Sequence, residues 1–193
     1  MAVVEALEMT AAPPQSVTLP KFLQLAYINE SPAWEYRHGE ISQKPMGGSK
    51  HSLLQKRLVA AIDATESGYE AFPELRCTLG GRSVVPDIAV LASEQVPVGE
   101  DGEIASGGIN TAPDWVIEIL SPNQSQTRVT GNILHCLRHG TQLGWLLDPE
   151  EKSVLCYQPD CLPLLLEKAD PIPALPQIDL PLSAAAIFQW LKR

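Results

Sequence analysis

Two apolar runs constrain this chain most: VVPDIAVL at 84–91 and WVIEILSP at 115–122. Each reads as a buried strand, and each carries a single acid, Asp87 or Glu118. A buried carboxylate costs several kcal/mol unless it is paired, hydrogen-bonded or neutralised. A fold that takes both runs into its core must therefore find partners for both acids. If the strands are neighbours, the two carboxylates could face each other, and like charges in contact raise a pKa. A hard cation such as Mg²⁺ removes that conflict, because it takes oxygen ligands and commonly one or two carboxylates with waters. The alternative is that each acid meets an arginine, Arg82 or Arg76, or water at a strand end. Pro86 lacks a ladder donor, so its strand is bent or near an edge there.

The rest of the chain supplies the frame. Residues 1–17 read as a loose arm of small residues with a Pro-Pro pair, and 18–193 as one domain. Thr18 could cap a helix over 19–29. WEYRHGEISQKP at 34–45 reads as a hairpin about Gly39, and KPMGGS as a loop. Leu53, Leu54, Leu58, Val59 and Ile62 form a helical stripe within 49–66, closed by Gly68. Two strands, 69–79 and 82–91, flank a Gly80-Gly81 turn. The polar stretch 92–113 reads as a loop, 114–120 as a strand, and Ser125–His139 as a helix stopped by Gly140. LGWLLD at 143–148 and SVLCYQ at 153–158 form a further hairpin, LPLLLEK adds a strand, and Ser183 caps a terminal helix at about 183–192. The order predicts an α/β (α+β) fold, a mixed β-sheet with helices packed on it.

Composition excludes several classes. The apolar runs, such as LPLLL at 162–166, are far too short to span a bilayer, and the N-terminus has no basic region of a secretory signal. A cytoplasmic protein without membrane contact is expected. The four cysteines, Cys77, Cys136, Cys156 and Cys161, show no CxxC spacing and read as reduced thiols, with a Cys156–Cys161 clip across a hairpin as the lesser alternative. The net charge of −9 argues against indiscriminate nucleic-acid binding but not against a local basic groove. Lys44, Lys50, Lys56 and Arg57 cluster in one segment, Arg76 and Arg82 in the next.

PD at 86–87, EILSP at 118–122, a helix closing at His139-Gly140 and WLLDP at 145–149 together resemble the Uma2 family. WEYRHGE at 34–40 and KPMGGSKHSLLQKRL at 44–58 are similar to its N-terminal part, so the resemblance covers about residues 18–160. That family, abundant in cyanobacteria, belongs to the PD-(D/E)XK nuclease superfamily. The resemblance implies a restriction-endonuclease-like fold with acids on adjacent strands, and metal-assisted phosphodiester hydrolysis. Carried over, Asp87 and Glu118 would bind Mg²⁺ or Mn²⁺, with the Ile119 carbonyl as a further ligand. An acid of the first hairpin, Glu35 or Glu40, would assist. The implied partner is nucleic acid, DNA ahead of RNA, and a homodimer is plausible because such nucleases often pair to cut two strands.

The chain departs from that pattern at the lysine. Leu120 stands two residues after Glu118, where the superfamily has Lys, and Asn132 stands where Uma2 proteins supply one from the following helix. No lysine lies between Lys56 and Lys152. Asn can orient a water or an oxygen but carries no charge. Arg128, one turn earlier, could bind phosphate but cannot act as a base. The function expected is thus a metal-dependent endonuclease of doubtful activity, or a disabled nuclease that binds nucleic acid or protein. His135 and His139 share the i, i+4 spacing of a helical metal pair but read better as surface histidines near a helix C-terminus. His51 reads as a capping or surface residue that could instead contact phosphate.

Overall fold

The computed structural model describes residues 17–122 and 124–192. All but the last residue of the expected N-terminal arm lies outside them. The polypeptide folds as a single α+β domain with two sheets, where one mixed sheet was expected. A six-stranded sheet has the order β10-β9-β8-β7-β6-β3, and a four-stranded sheet the order β2-β1-β5-β4. The larger comprises β3 (Tyr69–Pro73), β6 (Ile88–Ala92), β7 (Trp115–Ile119), β8 (Leu143–Asp148), β9 (Ser153–Tyr157) and β10 (Leu164–Glu167). The smaller comprises β1 (Trp34–Arg37), β2 (Glu40–Gln43), β4 (Cys77–Leu79) and β5 (Arg82–Val84). The helices are α1 (Leu19–Phe22), α2 (Ser49–Asp63), α3 (Gln126–Leu137) and α4 (Ala184–Gln189).

The split into two sheets comes from the segments expected as single strands at 69–79 and 82–91. Glu74 takes φ 52°, and Pro86 cannot donate to a ladder, so the chain leaves one sheet and enters the other at each point. Between them, Gly80 and Gly81 both have positive φ, 56° and 77°, as a tight hairpin turn requires. The helix expected over 19–29 is a single turn, and Thr18 makes no side-chain cap. The other boundaries fall close to expectation: Ser125 accepts from the Arg128 amide and Ser183 from that of Ala186, each capping its helix.

The larger sheet is apolar on both faces. Ile88, Val90, Ile117, Ile119 and Trp145 pack with Leu54, Leu58 and Ile62 of α2 and with Ile187 and Phe188 of α4. Ala89, Leu91, Val116 and Leu146 pack on the opposite face, with Val129, Ile133 and Cys136 of α3 and with Cys77, Leu79 and Val84 of the smaller sheet. Strand alternation therefore sends Asp87 and Glu118 to that second face, between α3 and the smaller sheet.

β7 and β8 form the one parallel pair of the larger sheet, and α3 is their crossover. Its seat is tight: a Cβ on Gly144 of β8 would lie 2.4 Å from Ile133 Cγ2. Gly144→Ala should therefore destabilise by about 1–3 kcal/mol through overpacking, at about 2–4 °C of Tm per kcal/mol for a chain of this size. Differential scanning calorimetry checks this. A rise in Tm, the usual result of Gly→Ala at an unstrained site, would show that α3 does not bear on β8 at this point.

Candidate active site

β6 and β7 run antiparallel with Ile88 opposite Ile117. One step further, the same register sets Asp87, just before β6, opposite Glu118. The partner of both acids is Lys44. Its amide bonds to the Ala33 carbonyl at 2.9 Å, which extends the β1–β2 ladder by one residue and aims the side chain inward. Lys44 Nζ donates to Asp87 Oδ1 at 2.6 Å, to the Val85 carbonyl at 2.7 Å and to Glu118 Oε2 at 3.3 Å. All three ammonium hydrogens thus have acceptors.

Asp87 is held on every side. Its Oδ2 accepts from the Ile119 amide at 2.7 Å and lies 3.0 Å from His51 Nε2. The Gln55 side chain donates to its carbonyl at 2.8 Å. A third carboxylate, Glu35, lies beyond. Its Oε1 accepts from the Val85 amide at 3.0 Å, and Asn132 Nδ2 reaches both of its oxygens at 3.2 Å. The cluster therefore sets three buried carboxylates against one partly buried ammonium.

The electrostatics separate the two strand acids. Burial alone would push Asp87 up, but Lys44 and His51 more than reverse this and hold its carboxyl well below the usual range. Burial pushes Glu118 up, and the charges of Asp87 and Glu35 add to it; Lys44 opposes them without prevailing, so its pKa stays well above the ordinary value. Burial would lower Lys44, yet Glu118, Asp87 and Glu35 outweigh it and keep the ammonium protonated.

A cleft of about 300 Å³ opens over this cluster, lined among others by Glu35, Ser42, Lys44, Glu118, Arg128 and Asn132. Arg128, exposed at the start of α3, donates to Ser42 Oγ. A neighbouring cleft of about 510 Å³ shares Gln124 with it and carries His51, Ser121 and Asp148.

The structure thus brings together Asp87, Glu118, Asn132, Arg128 and the backbone of Ile119. Glu40 stands apart: it is exposed beside the hairpin turn, and Glu35 is the hairpin acid that reaches the cluster. Neither Arg76 nor Arg82 pairs with the strand acids. Arg76 donates to the carbonyls of Trp34 and Ile28 and to Ser83, and Arg82 meets His38 and the Gly131 carbonyl. His51 is buried against Asp87, not at the surface. His135 is buried as well, bonded to the Leu79 carbonyl at 2.9 Å, while His139 is exposed beside it. All four cysteines are free, so no Cys156–Cys161 clip exists. Lys44 stands in the sequence at the end of the first hairpin and in a basic cluster, with nothing there that assigns it to the acids. Its signal was the hairpin alternation, which places Glu40, Ser42 and Lys44 on one face of β2 and its extension.

A mixed sheet that buries an acid pair on adjacent strands beside a crossover helix defines a nuclease-like α+β fold. The chain belongs to the Uma2 family, whose model, described as "Putative restriction endonuclease", matches residues 19–183. A similar solved structure is that of a "putative nuclease belonging to DUF820" from Anabaena variabilis ATCC 29413. It is 47% identical, with a TM-score of 0.86, over 91% of this chain and 99% of that one. No curated protein matches the sequence.

The opposite pKa directions make a paired prediction for the metal-free protein. Asp87→Asn removes a depressed acid and half of a buried ion pair, at about 3–5 kcal/mol, so Tm at neutral pH should fall by roughly 10 °C. Glu118→Gln should behave oppositely. A raised folded-state pKa gives stability that is present at low pH and lost as Glu118 ionises, so the variant should gain on the parent as pH is raised from acid to alkaline. Thermal melts across pH check both. A Glu118→Gln variant that loses ground as pH rises would refute the assignment.

Proposed function

We propose that this protein is a metal-dependent endonuclease that hydrolyses phosphodiester bonds at the cleft above Asp87 and Glu118. The observation that carries this reading is the convergence of acid groups there: three buried carboxyl groups against a single ammonium. The donors are oxygen atoms, as a hard cation wants. Among the described residues no three His, Cys, Asp or Glu side chains converge into a cage. A set of two carboxylates completed by waters and substrate is the arrangement Mg²⁺ commonly adopts. Asp87, Glu118 and the Ile119 carbonyl would hold Mg²⁺ or Mn²⁺. When bound, such an ion lowers the pKa of a water and stabilises charge growing on the scissile phosphate.

The side chains divide the remaining work. Lys44 supplies at the acid pair the positive charge that Asn132 of the crossover helix does not. It enters from the hairpin side, and its protonated ammonium suits it to stabilise a phosphate oxygen in the transition state. Asn132 is a positioning residue: its amide fixes Glu35, whose second oxygen could orient a water. Arg128 at the rim would hold a neighbouring phosphate through its planar guanidinium.

A second reading, a disabled nuclease acting as a binding module, is favoured by one observation: Lys44 already satisfies both strand carboxylates. DNA is the preferred substrate and RNA the alternative. Among the described residues no helix is long and apolar enough to cross a membrane, and three buried free thiols accord with a cytoplasmic setting. β10, at one edge of the larger sheet, leaves Leu164 and Leu165 exposed, which would suit a homodimer.

The test is cleavage of single- and double-stranded DNA and of RNA with Mg²⁺ or Mn²⁺, with a chelator control. Lys44→Gln should lower the rate by about 10²–10³, the usual effect of losing one electrostatic group, and Glu118→Ala should abolish it. Metal should raise the parent's Tm, because it binds only the folded state. No cleavage of any substrate together with no metal-induced shift would favour the binding module.

A further inference from the structure

The chain carries a net charge of −9, yet one face gathers positive groups that no acid answers. β1 and β5 are antiparallel with Tyr36 opposite Ser83. The next step of that register sets Arg37 opposite Arg82. Like charges directly opposite on a strand pair are destabilising, and both point at the same turn of α3. Arg82 Nη1 lies 3.5 Å from the Gly131 carbonyl, and a Cβ on Gly131 would meet the Arg37 guanidinium at 3.4 Å. Arg82 Nη2 lies 2.6 Å from His38 Nε2, and its Nε is buried without a partner. Arg138, exposed at the C-terminal cap of α3, adds to the field that, after burial and alongside Arg37, lowers the pKa of Arg82. Among the described residues, every ion pair involves Lys44, Lys50 or His51, and none involves Arg37, Arg82, Arg128 or Arg138. Glu40 stands opposite Arg37 in the hairpin register without pairing with it.

The arginines flank the acid cleft. Arg128 lies at the N-terminal end of α3, Asn132 and Glu35 one turn on, Arg37 and Arg82 over Gly131, and Arg138 at the far end. At 1.5 Å per residue, Arg128 and Arg138 are about 15 Å apart, comparable with about four nucleotides of one strand at 3.4 Å each. We infer that the surface along the seam between α3 and the β1–β5 strand pair is the track for a nucleic-acid backbone, with Arg37 and Arg138 holding phosphates on one side of the cleft, Arg128 on the other, and the buried Arg82 adding its positive field beneath. This rests on the nuclease reading for its choice of occupant. An acidic peptide would meet the same guanidiniums, but only a phosphodiester strand also delivers a reactive group to the carboxylates between them.

The experiment measures binding of labelled single-stranded and duplex DNA, RNA strands and polyglutamate over a range of KCl, with chelator present so that nothing is cut. The variants are Arg37→Gln, Arg138→Gln and, as a control on the opposite face of the larger sheet, Arg57→Gln in α2. Arg37→Gln and Arg138→Gln should each weaken nucleic-acid binding several-fold whatever the sequence. Each should also reduce the slope of log K against log salt by about 1, the mark of one lost phosphate contact. Arg57→Gln should change neither. Arg138 is exposed, so its variant carries the test even if Arg37→Gln fails to fold. Parental affinity and slope in a folded Arg138→Gln, no salt-dependent binding by the parent, or polyglutamate bound as tightly as DNA would each overturn the track. Arginine-dependent binding by a parent that never cleaves would leave the track standing and remove the nuclease reading. Cleavage with binding unchanged in the variants would do the reverse.

Discussion

The contact of Lys44 with Asp87 and Glu118 is the interaction on which the site depends. The strand register brings two acids side by side where both are almost fully buried, and neither could stay ionised alone. One ammonium, carried in from the first hairpin, ties the smaller sheet to the larger and neutralises part of that charge. It does so unequally. Asp87 also has the Ile119 amide and His51, and is held ionised; Glu118 has the weaker share of Lys44 and is pushed toward its neutral form. A pair of acids with separated proton affinities is a common feature of sites built for chemistry.

Asn132 takes its meaning from the same arrangement. Read alone, it is a helix residue without the charge that the superfamily pattern asks for. In the fold it holds Glu35 by both oxygens, and that grip orders the third acid. The charge comes instead from Lys44, on the other side of the cleft.

The strands that bury acids, the crossover helix and its caps were readable because each rests on local chemistry: apolar runs, Ser at an N-cap, Gly at a stop or a tight turn. The family resemblance likewise lay in short motifs kept in order. The two-sheet division was not readable, since it depends on where Glu74 and Pro86 turn the chain between sheets. The first helix shrank to one turn although its residues were helically spaced, because periodicity does not reveal where tertiary packing ends. Lys44 was missed for a related reason. Its side of the hairpin follows from alternation, but its distance to Asp87, 43 residues away, exists only once both sheets are assembled. The placing of His51 against Asp87, and of Arg37 opposite Arg82, has the same origin.

The most direct measurement is anomalous diffraction from crystals equilibrated with Mn²⁺. The account predicts a single strong peak within coordination distance of both Asp87 and Glu118, with the Lys44 ammonium moved off at least one of the two carboxylates. No peak at that place in saturating Mn²⁺, with Lys44 still bonded to both acids, would contradict it.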